Sequence, residues 1–144
     1  MPLDAALETP TPQRRGPDVD GARAVVLIVD DDEVEIETFS QWIAAAGYDV
    51  RTASDGESGL QLVPGVDAII VDGHMPGIDG TEFLRRLHDI DPGIPTALIT
   101  GDYLIEDATL NECRGLGAEL MFKPIWLDNL EALVLELVQR KRSR

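Results

Sequence analysis

From residue 24 onward, short apolar segments alternate with amphipathic ones, and this alternation restricts the chain to few folds. The apolar segments have the length of buried strands, and several are rich in valine and isoleucine. The amphipathic segments carry apolar residues at the three- and four-residue spacing of a helix. Strict alternation of strand and helix favours a parallel sheet with helices on both faces. We therefore predict an α/β fold with strands at 24–29, 48–53, 68–71, 96–99 and 119–122, and helices at 33–46, 56–63, 80–90, 104–116 and 126–140.

Local signals support the helix assignments. Gly47 follows the first helix, where a left-handed residue is favoured. Asp79 precedes the third helix and Glu82 comes three residues later, an acidic form of the capping box. The first helix carries an apolar stripe formed by Val34, Ile36, Phe39, Trp42, Ile43 and Ala46. The last helix carries a stripe that we predict to face the core, formed by Trp126, Leu127, Leu130, Leu133, Val134, Leu137 and Val138. Leu135 lies off that stripe and is a candidate contact for a dimer or a partner.

Length and composition indicate one domain. The chain has 144 residues, and we divide it into a disordered leader at 1–23, a folded domain at 24–140 and a basic tail at 141–144. A net charge of −15 argues against binding to nucleic acid or to an anionic membrane, and the terminal basic cluster is expected to be a solvated helix end. The single cysteine, Cys113, excludes an intramolecular disulfide. With no secretion signal and no long apolar run, we expect a cytoplasmic protein.

Polar residues follow directly after four of the predicted strands. Asp30 and Asp31 follow the first strand, and Asp72 follows the third. Thr100 and Lys123 follow the fourth and the fifth. Because the carboxyl ends of parallel strands meet at one edge of the sheet, we expect these five residues to converge there.

Three carboxylates, a hydroxyl and an ammonium are the parts of a Mg²⁺-assisted phosphoryl-transfer site. Carboxylate oxygens are suitable Mg²⁺ ligands, and a carboxylate can also act as the nucleophile that forms an acyl phosphate. A lysine and a hydroxyl can hold the remaining phosphoryl oxygens. Taken singly, an aspartate or a threonine after a strand is equally typical of a helix N-cap, so the prediction depends on the set.

The segment 71–80 resembles the phosphoacceptor loop of bacterial two-component response regulators, in which an aspartate is followed by Met-Pro-Gly and then Asp-Gly. Segments 29–31, 99–100 and 122–124 resemble the other motifs of that receiver domain, in the same order. The resemblance covers about residues 24–140 and is of the single-domain, chemotaxis-regulator type. It implies a flavodoxin-like, doubly wound sheet of five parallel strands in the order 2-1-3-4-5, with five helices.

The resemblance implies a metal site. Asp72 would be the phosphorylated aspartate and a Mg²⁺ ligand, with Asp31 as the other direct carboxylate ligand. Asp30 would act mainly through a metal-bound water, and the backbone carbonyl of His74 would add a ligand. Asp32 is then left to cap the following helix.

Thr100 would bond the phosphoryl group and move towards it on activation, and Lys123 would contact a phosphoryl oxygen. Many members of the family carry an aromatic residue three positions before the lysine, where this chain has Leu120. The usual coupling between that ring and the threonine is therefore not expected here. Gly101 replaces a common alanine, which should loosen the loop after the fourth strand.

His74 and Asp102 occupy positions that flank the phosphoryl group in the family. We hypothesise that they tune the lifetime of the phosphorylated state, Asp102 by acting on an attacking water and His74 by pairing with Asp102. The alternative is that both are solvated loop residues. A side-chain metal ligand role for His74 is disfavoured, because Mg²⁺ prefers oxygen ligands.

The resemblance implies a signalling domain and not an enzyme, apart from self-catalysed phosphotransfer and dephosphorylation. A sensor histidine kinase or a phosphotransfer protein would donate its phosphoryl group to Asp72. The signal would pass through the fourth helix, fifth strand and fifth helix to a partner protein, and the same face could form a homodimer. Since only a helix and a tail follow Pro124, we expect a stand-alone regulator, with a phosphate sink as an open alternative.

Two other classes remain as alternatives. Segment 30–34 fits the Asp-x-Asp-x-Val motif of haloacid-dehalogenase-like phosphatases, and 101–107 fits their later acidic element. That family places its lysine before the acidic element, whereas Lys123 comes after it, and the Met-Pro-Gly loop would be unexplained. The second alternative is a receiver fold that binds a partner without phosphorylation.

Overall fold

The computed structural model describes residues 18–19, 22–102 and 104–142. Its main sheet has five parallel strands, in the spatial order β2-β1-β3-β4-β5. The strands are β1 Val25–Val29, β2 Asp49–Ala53, β3 Ala68–Asp72, β4 Thr96–Thr100 and β5 Ala118–Phe122. The helices are α1 Glu33–Ala45, α2 Gly56–Gln61, α3 Gly80–Ile90, α4 Asp107–Gly115 and α5 Leu127–Arg142. The predicted flavodoxin-like fold is confirmed.

The sheet separates two apolar cores. Val26 and Ile28 of β1 point into one core, against α1 and α5. Leu27 and Val29 of the same strand point into the other, against α2, α3 and α4. Because β1, β3 and β4 are buried on both faces, their sequences are continuous apolar runs and not alternating ones.

Aspartates cap three of the helices at the carboxyl edge of the sheet. Asp32 accepts hydrogen bonds from the backbone amides of Val34 and Glu35 at the start of α1. Asp55 caps α2 and Asp79 caps α3, in each case through a backbone amide of the first turn. These bonds satisfy donors that a helix leaves open at its N-terminus and fix where each loop ends.

Three details differ from the sequence-based expectations. Helix α4 begins at Asp107 and not at 104, because the Asp102 carboxylate accepts a hydrogen bond from the amide of Leu104 and holds that stretch as a turn. Trp126 precedes α5 and is 65% exposed, and Val34 is 74% exposed, so neither belongs to a core stripe. Helical spacing alone cannot tell whether the first turn of a helix projects beyond the sheet edge.

The basic end of the chain is held more firmly than expected. Helix α5 runs to Arg142, through the first part of the predicted tail. Arg140 pairs with Glu119, and the Lys141 Nζ lies 3.2 Å from an oxygen of the buried Asp67. These two side chains are thus partly exposed and ion-paired, while the role of this end as a solvated helix end stays a prediction.

Within the predicted leader, Asp18–Val19 pairs antiparallel with Ala22–Arg23. The rest of that segment, 1–17 and 20–21, and the final residues 143–144 lie outside the described residues. Among the described helices, none has the length and apolar character that crossing a membrane requires.

Candidate functional site

Three aspartates meet at the carboxyl edge of the sheet. Ligand oxygens of Asp30, Asp31 and Asp72 all lie within 4.8 Å of one another. Asp30 and Asp72 are only 3% and 6% exposed, whereas Asp31 is open to solvent. The convergence expected from the strand order is therefore present.

Strand pairing places these acids. β1 lies between β2 and β3, with Val29 in register with Val71, so that the next residues, Asp30 and Asp72, lie side by side. Hydrogen bonds hold both the backbone and the side chain of Asp30. Its amide donates to the carbonyl of Ala53, and its Oδ1 accepts from the amide of Asp32. Asp30 thus has a fixed position at the base of the site.

Lys123 brings the cation. Its Nζ lies 3.3 Å from Oδ1 of Asp72. The residue follows β5, and its amide donates to the carbonyl of Thr100 at 2.8 Å, which continues the β4–β5 pairing to the sheet edge. The lysine and the threonine are therefore carried by neighbouring strands.

Thr100 is buried beside the loop that follows Asp72. A Cβ on Gly73 would lie 3.2 Å from the Thr100 Cβ, so only glycine leaves ordinary room for the hydroxyl-bearing side chain there. The Thr100 Oγ1 accepts a hydrogen bond from the amide of Asp102 at 3.0 Å. The side chain also lines a cavity of about 340 Å³, together with His74 and Leu104.

His74 and Asp102 face each other across the mouth of this cavity. The His74 Nε2 lies 3.8 Å from Oδ2 of Asp102. Their side chains are 71% and 38% exposed, so water reaches both. The two side chains are neighbours, but the distance is too long for a hydrogen bond, so their pairing stays a hypothesis.

Burial and like charge shift the protonation of the acids. Burial raises the pKa of Asp30 to about 8, with further contributions from Glu35 and Asp72. Burial also raises the pKa of Asp72, although Lys123 and the backbone amide of His74 act in the opposite direction. Burial lowers the pKa of Lys123, but Glu35 and Asp72 outweigh it and the pKa rises. Without a further cation, the buried acids are under-compensated.

One charged residue of the site was not anticipated. The Glu35 carboxylate, from the first turn of α1, contacts the Lys123 Nζ with Oε1 at 2.9 Å and Oε2 at 3.1 Å. Sequence reasoning considered strand ends, whereas this side chain enters from a helix. The only sequence signal for Glu35 was its position in the first helical turn, three residues after the Asp32 cap, which lies at the carboxyl edge of the sheet.

Leu120 lies on β5, three residues before Lys123. It is partly buried and packs against the core that holds α2, α3 and α4. The position is therefore filled by an aliphatic side chain, so the site has no ring here to couple to Thr100.

The donor set suits Mg²⁺. Two buried carboxylates and one exposed carboxylate offer hard oxygen ligands, and the open side at Asp31 leaves room for waters. A divalent cation would also offset the like charges that raise the pKa of Asp30 and Asp72. The residues present thus fit the metal.

Fold and site together define a class: a flavodoxin-like α/β domain with an acidic, lysine-containing pocket at the carboxyl ends of its strands. Residues 26–135 match the family model of the response regulator receiver domain. The chain belongs to that family, which serves two-component signalling.

Individual relatives agree with this assignment. The probable transcriptional regulatory protein TcrX of Mycobacterium tuberculosis is 31% identical over 82% of this chain and 50% of its own length. The chain spans half or less of the curated relatives it matches first. A CheY-like receiver domain protein of Methanospirillum hungatei JF-1 is 25% identical, with a TM-score of 0.77 over 85% of this chain and all of that one.

A solved structure with ligands in its title is also similar. The CheX–CheY–BeF3–Mg²⁺ complex of Borrelia burgdorferi contains a chain that is 25% identical to this one, with a TM-score of 0.75. The similarity covers 85% of this chain and 96% of that one.

Proposed function

We propose that this receiver domain accepts a phosphoryl group on Asp72, in the presence of Mg²⁺, from a phosphohistidine of a sensor kinase or of a phosphotransfer protein. The observation that carries the proposal is the position of Asp72, a buried carboxylate 3.3 Å from the Lys123 ammonium and within 4.8 Å of two further acids. A purely structural ion pair would not need the extra carboxylates.

The residues divide the chemistry among them. Asp72 would attack the phosphorus with one carboxylate oxygen while the bond to the histidine nitrogen breaks and the imidazole leaves. Asp31, Asp72 and the His74 carbonyl would hold Mg²⁺, with Asp30 acting through a bound water. The metal would neutralise charge on the phosphoryl oxygens.

Lys123 and Thr100 would hold the remaining phosphoryl oxygens. Lys123 already lies beside Asp72, and its amide is bonded to Thr100, the last residue of β4. The Thr100 hydroxyl would have to move from its present bond to the Asp102 amide, which couples the acceptor to the loop before α4. This supports readout through α4, β5 and α5 to a downstream partner protein, or to a second copy of the chain.

Acidity supports a protein partner over nucleic acid. The chain carries a net charge of −15, and two of the cations near its end, Arg140 and Lys141, are engaged by Glu119 and Asp67. A strongly acidic chain is repelled by a phosphate backbone.

The experiment is to incubate the protein with acetyl phosphate and Mg²⁺, and separately with beryllofluoride and Mg²⁺. With acetyl phosphate we expect a mass increase of one phosphoryl group, and with beryllofluoride a non-covalent adduct visible by ¹⁹F NMR. Asp72→Asn should abolish both, whereas Asp89→Asn, which changes an exposed acid on α3, should leave both intact. Chelation of the metal should prevent both adducts. If the wild-type chain forms no adduct at Asp72 under either condition, it is a binding module that works without phosphorylation.

A further inference from the structure

Glu35 is a fourth carboxylate at the site, and it competes directly with Asp72 for Lys123. The Lys123 Nζ lies 2.9 Å from Oε1 of Glu35 but 3.3 Å from Oδ1 of Asp72. The ammonium is therefore shared between the acceptor and a residue that has no part in the proposed transfer, and it sits closer to the latter.

The placement of Glu35 is unlike that of a glutamate on a helix surface. Its side chain is only 28% exposed, both of its carboxylate oxygens lie within 3.1 Å of the Lys123 Nζ, and its carboxylate also interacts with the side chain of Asp30. Glu33, two positions earlier in the same first turn, projects into solvent. Placing a carboxylate in a partly buried position next to other acids is costly, which points to a use at the site.

Charge counting shows what the contact does. Glu35 and Asp72 both contact the Lys123 ammonium, and Asp30 and Asp31 lie beside Asp72. Phosphorylation of Asp72 adds negative charge and requires Lys123 at a phosphoryl oxygen. A lysine held by Glu35 must give up part of that contact first, so the phosphorylated form gains less than it otherwise would.

We propose that Glu35 is a positioning residue that holds Lys123 back from Asp72 in the unphosphorylated protein and thereby lowers the stability of the phosphorylated state. The proposal rests on the phosphoacceptor function proposed above. It assigns to this chain a built-in restraint, located on α1 and independent of any partner. Release of the lysine from Glu35 becomes a step of activation, alongside the movement of Thr100.

The test measures beryllofluoride affinity at saturating Mg²⁺ by ¹⁹F NMR of the bound adduct. Glu35→Gln keeps the size of the side chain and removes its charge. We expect it to tighten beryllofluoride binding roughly two- to fivefold, the range of a partly exposed ion pair. Glu33→Gln removes the same charge from the exposed side of the same turn and should change the affinity less than about twofold, since exposed charges are screened.

A shorter acid separates contact from charge. Glu35→Asp keeps the charge but is one methylene too short for the contact, so its affinity should lie between those of the wild type and Glu35→Gln. The ¹⁵N resonance of the Lys123 amine should move in both Glu35 variants and stay in place in Glu33→Gln, which a change in helix stability alone would not produce.

Equal affinities for Glu35→Gln and Glu33→Gln would overturn the proposal. If Glu35→Gln does not fold, Glu35→Asp decides alone, and a wild-type affinity in that variant has the same consequence. Failure of the underlying function looks different, because then the wild-type protein itself binds no beryllofluoride.

Discussion

At the scale of single residues, the site combines a rigid base with a solvent-exposed rim. Asp30, Asp72 and Thr100 are buried and fixed by strand pairing, whereas Asp31, His74 and the upper part of Asp102 are reached by water. Buried residues of this kind suit binding and positioning. Exposed ones can act on the water that hydrolyses an acyl phosphate, which makes the rim the natural place to set the lifetime of the phosphorylated state.

We predict that Asp102→Asn lengthens the half-life of phospho-Asp72 roughly two- to tenfold. The change removes the charge that orients water but keeps the oxygen that accepts from the Leu104 amide, so the turn should survive. The effect should stay below the factor of about 10² to 10⁴ typical of a full general base, because the side chain is partly exposed. His74→Ala should act in the same direction through loss of the pair.

Loss of ³²P label from protein phosphorylated with radiolabelled acetyl phosphate gives these half-lives. Asp89→Asn serves as the control for a surface charge and should decay like the wild type. If neither Asp102→Asn nor His74→Ala changes the half-life, His74 and Asp102 are solvated loop residues without an effect on the phosphorylated state.

The same contrast explains what the sequence could predict. Strand ends are set by short apolar runs, so the meeting of Asp30, Asp31 and Asp72 follows from sheet order alone. Glu35 could not be found this way, because a helical side chain reaches the site only through the tilt of its helix. The exposure of Trp126 could not be predicted either, since helical periodicity does not say at which residue a helix begins.

At the scale of elements, α3 packs so closely on the phosphoacceptor loop that its first residue must be glycine. A Cβ on Gly80 would lie 2.7 Å from the carbonyl oxygen of Asp72 and 2.8 Å from the Cα of Gly73. Both are backbone atoms of the loop and cannot swing aside. The start of α3 and the position of the acceptor are therefore coupled.

Gly80→Ala should lower the free energy of unfolding by about 1 to 3 kcal/mol, the usual cost of overpacking. Gly115→Ala is the matched control: its Cβ would meet nothing within 4 Å, and alanine in a helix should raise stability by up to about 1 kcal/mol. Urea denaturation followed by circular dichroism measures both. A Gly80→Ala protein as stable as the wild type would show that the loop can shift away from α3.

The other end of the sheet is fastened by α5. The Lys141 Nζ donates to the carbonyl of Val66 at 2.8 Å and lies 3.2 Å from the Asp67 carboxylate. Asp67 is 6% exposed and also accepts from the amide of Val25 at 2.8 Å. The last turn of the helix is thus tied to the first residues of β1 and β3.

Lys141→Met should therefore destabilise the fold by about 1 to 3 kcal/mol, since it leaves a buried carboxylate without its cation while keeping the apolar stem. Asp67→Asn combined with Lys141→Met should recover part of the loss, because the remaining amide carries no charge. Thermal unfolding of the two variants decides this. If Lys141→Met melts with the wild type, the solvated helix end inferred from the sequence describes this residue after all.

At the scale of the whole molecule, part of the excess negative charge lies where the function is proposed. The net charge is −15, and the site itself gathers Asp30, Asp31, Asp72 and Glu35 around one lysine. A folded state that crowds acids in this way holds protons that the unfolded chain releases. Stability, proton uptake and metal binding are therefore linked through the same few groups.

We predict that the Mg²⁺-free protein loses stability as pH rises from 6 to 8. The ordinary pKa of an aspartate such as Asp30 is 3.8, while burial and neighbouring acids raise its pKa in the folded protein to about 8. Between these values the unfolded chain has released its proton and the folded protein has not, so each step up in pH favours unfolding. Above about 8 both states are ionised and the dependence ends. The loss between pH 6 and 8 should be about 2 kcal/mol, since each pH unit in this interval contributes up to about 1.4 kcal/mol.

Urea denaturation in the presence of a chelator, at several pH values, measures this slope in the wild type and in Asp30→Asn. Because the variant cannot titrate at this position, it should lose less stability over the same interval, and the difference between the two curves cancels the contribution of groups elsewhere. Adding Mg²⁺ should stabilise the wild type more at pH 8 than at pH 6, since the metal competes with the proton for the same oxygens. NaCl at matched ionic strength separates this binding from simple screening of the net charge. Equal slopes for the two proteins would mean that Asp30 is already ionised in the folded state. Solvent, and not a proton or a metal, would then have to reduce the repulsion between the acids of the site.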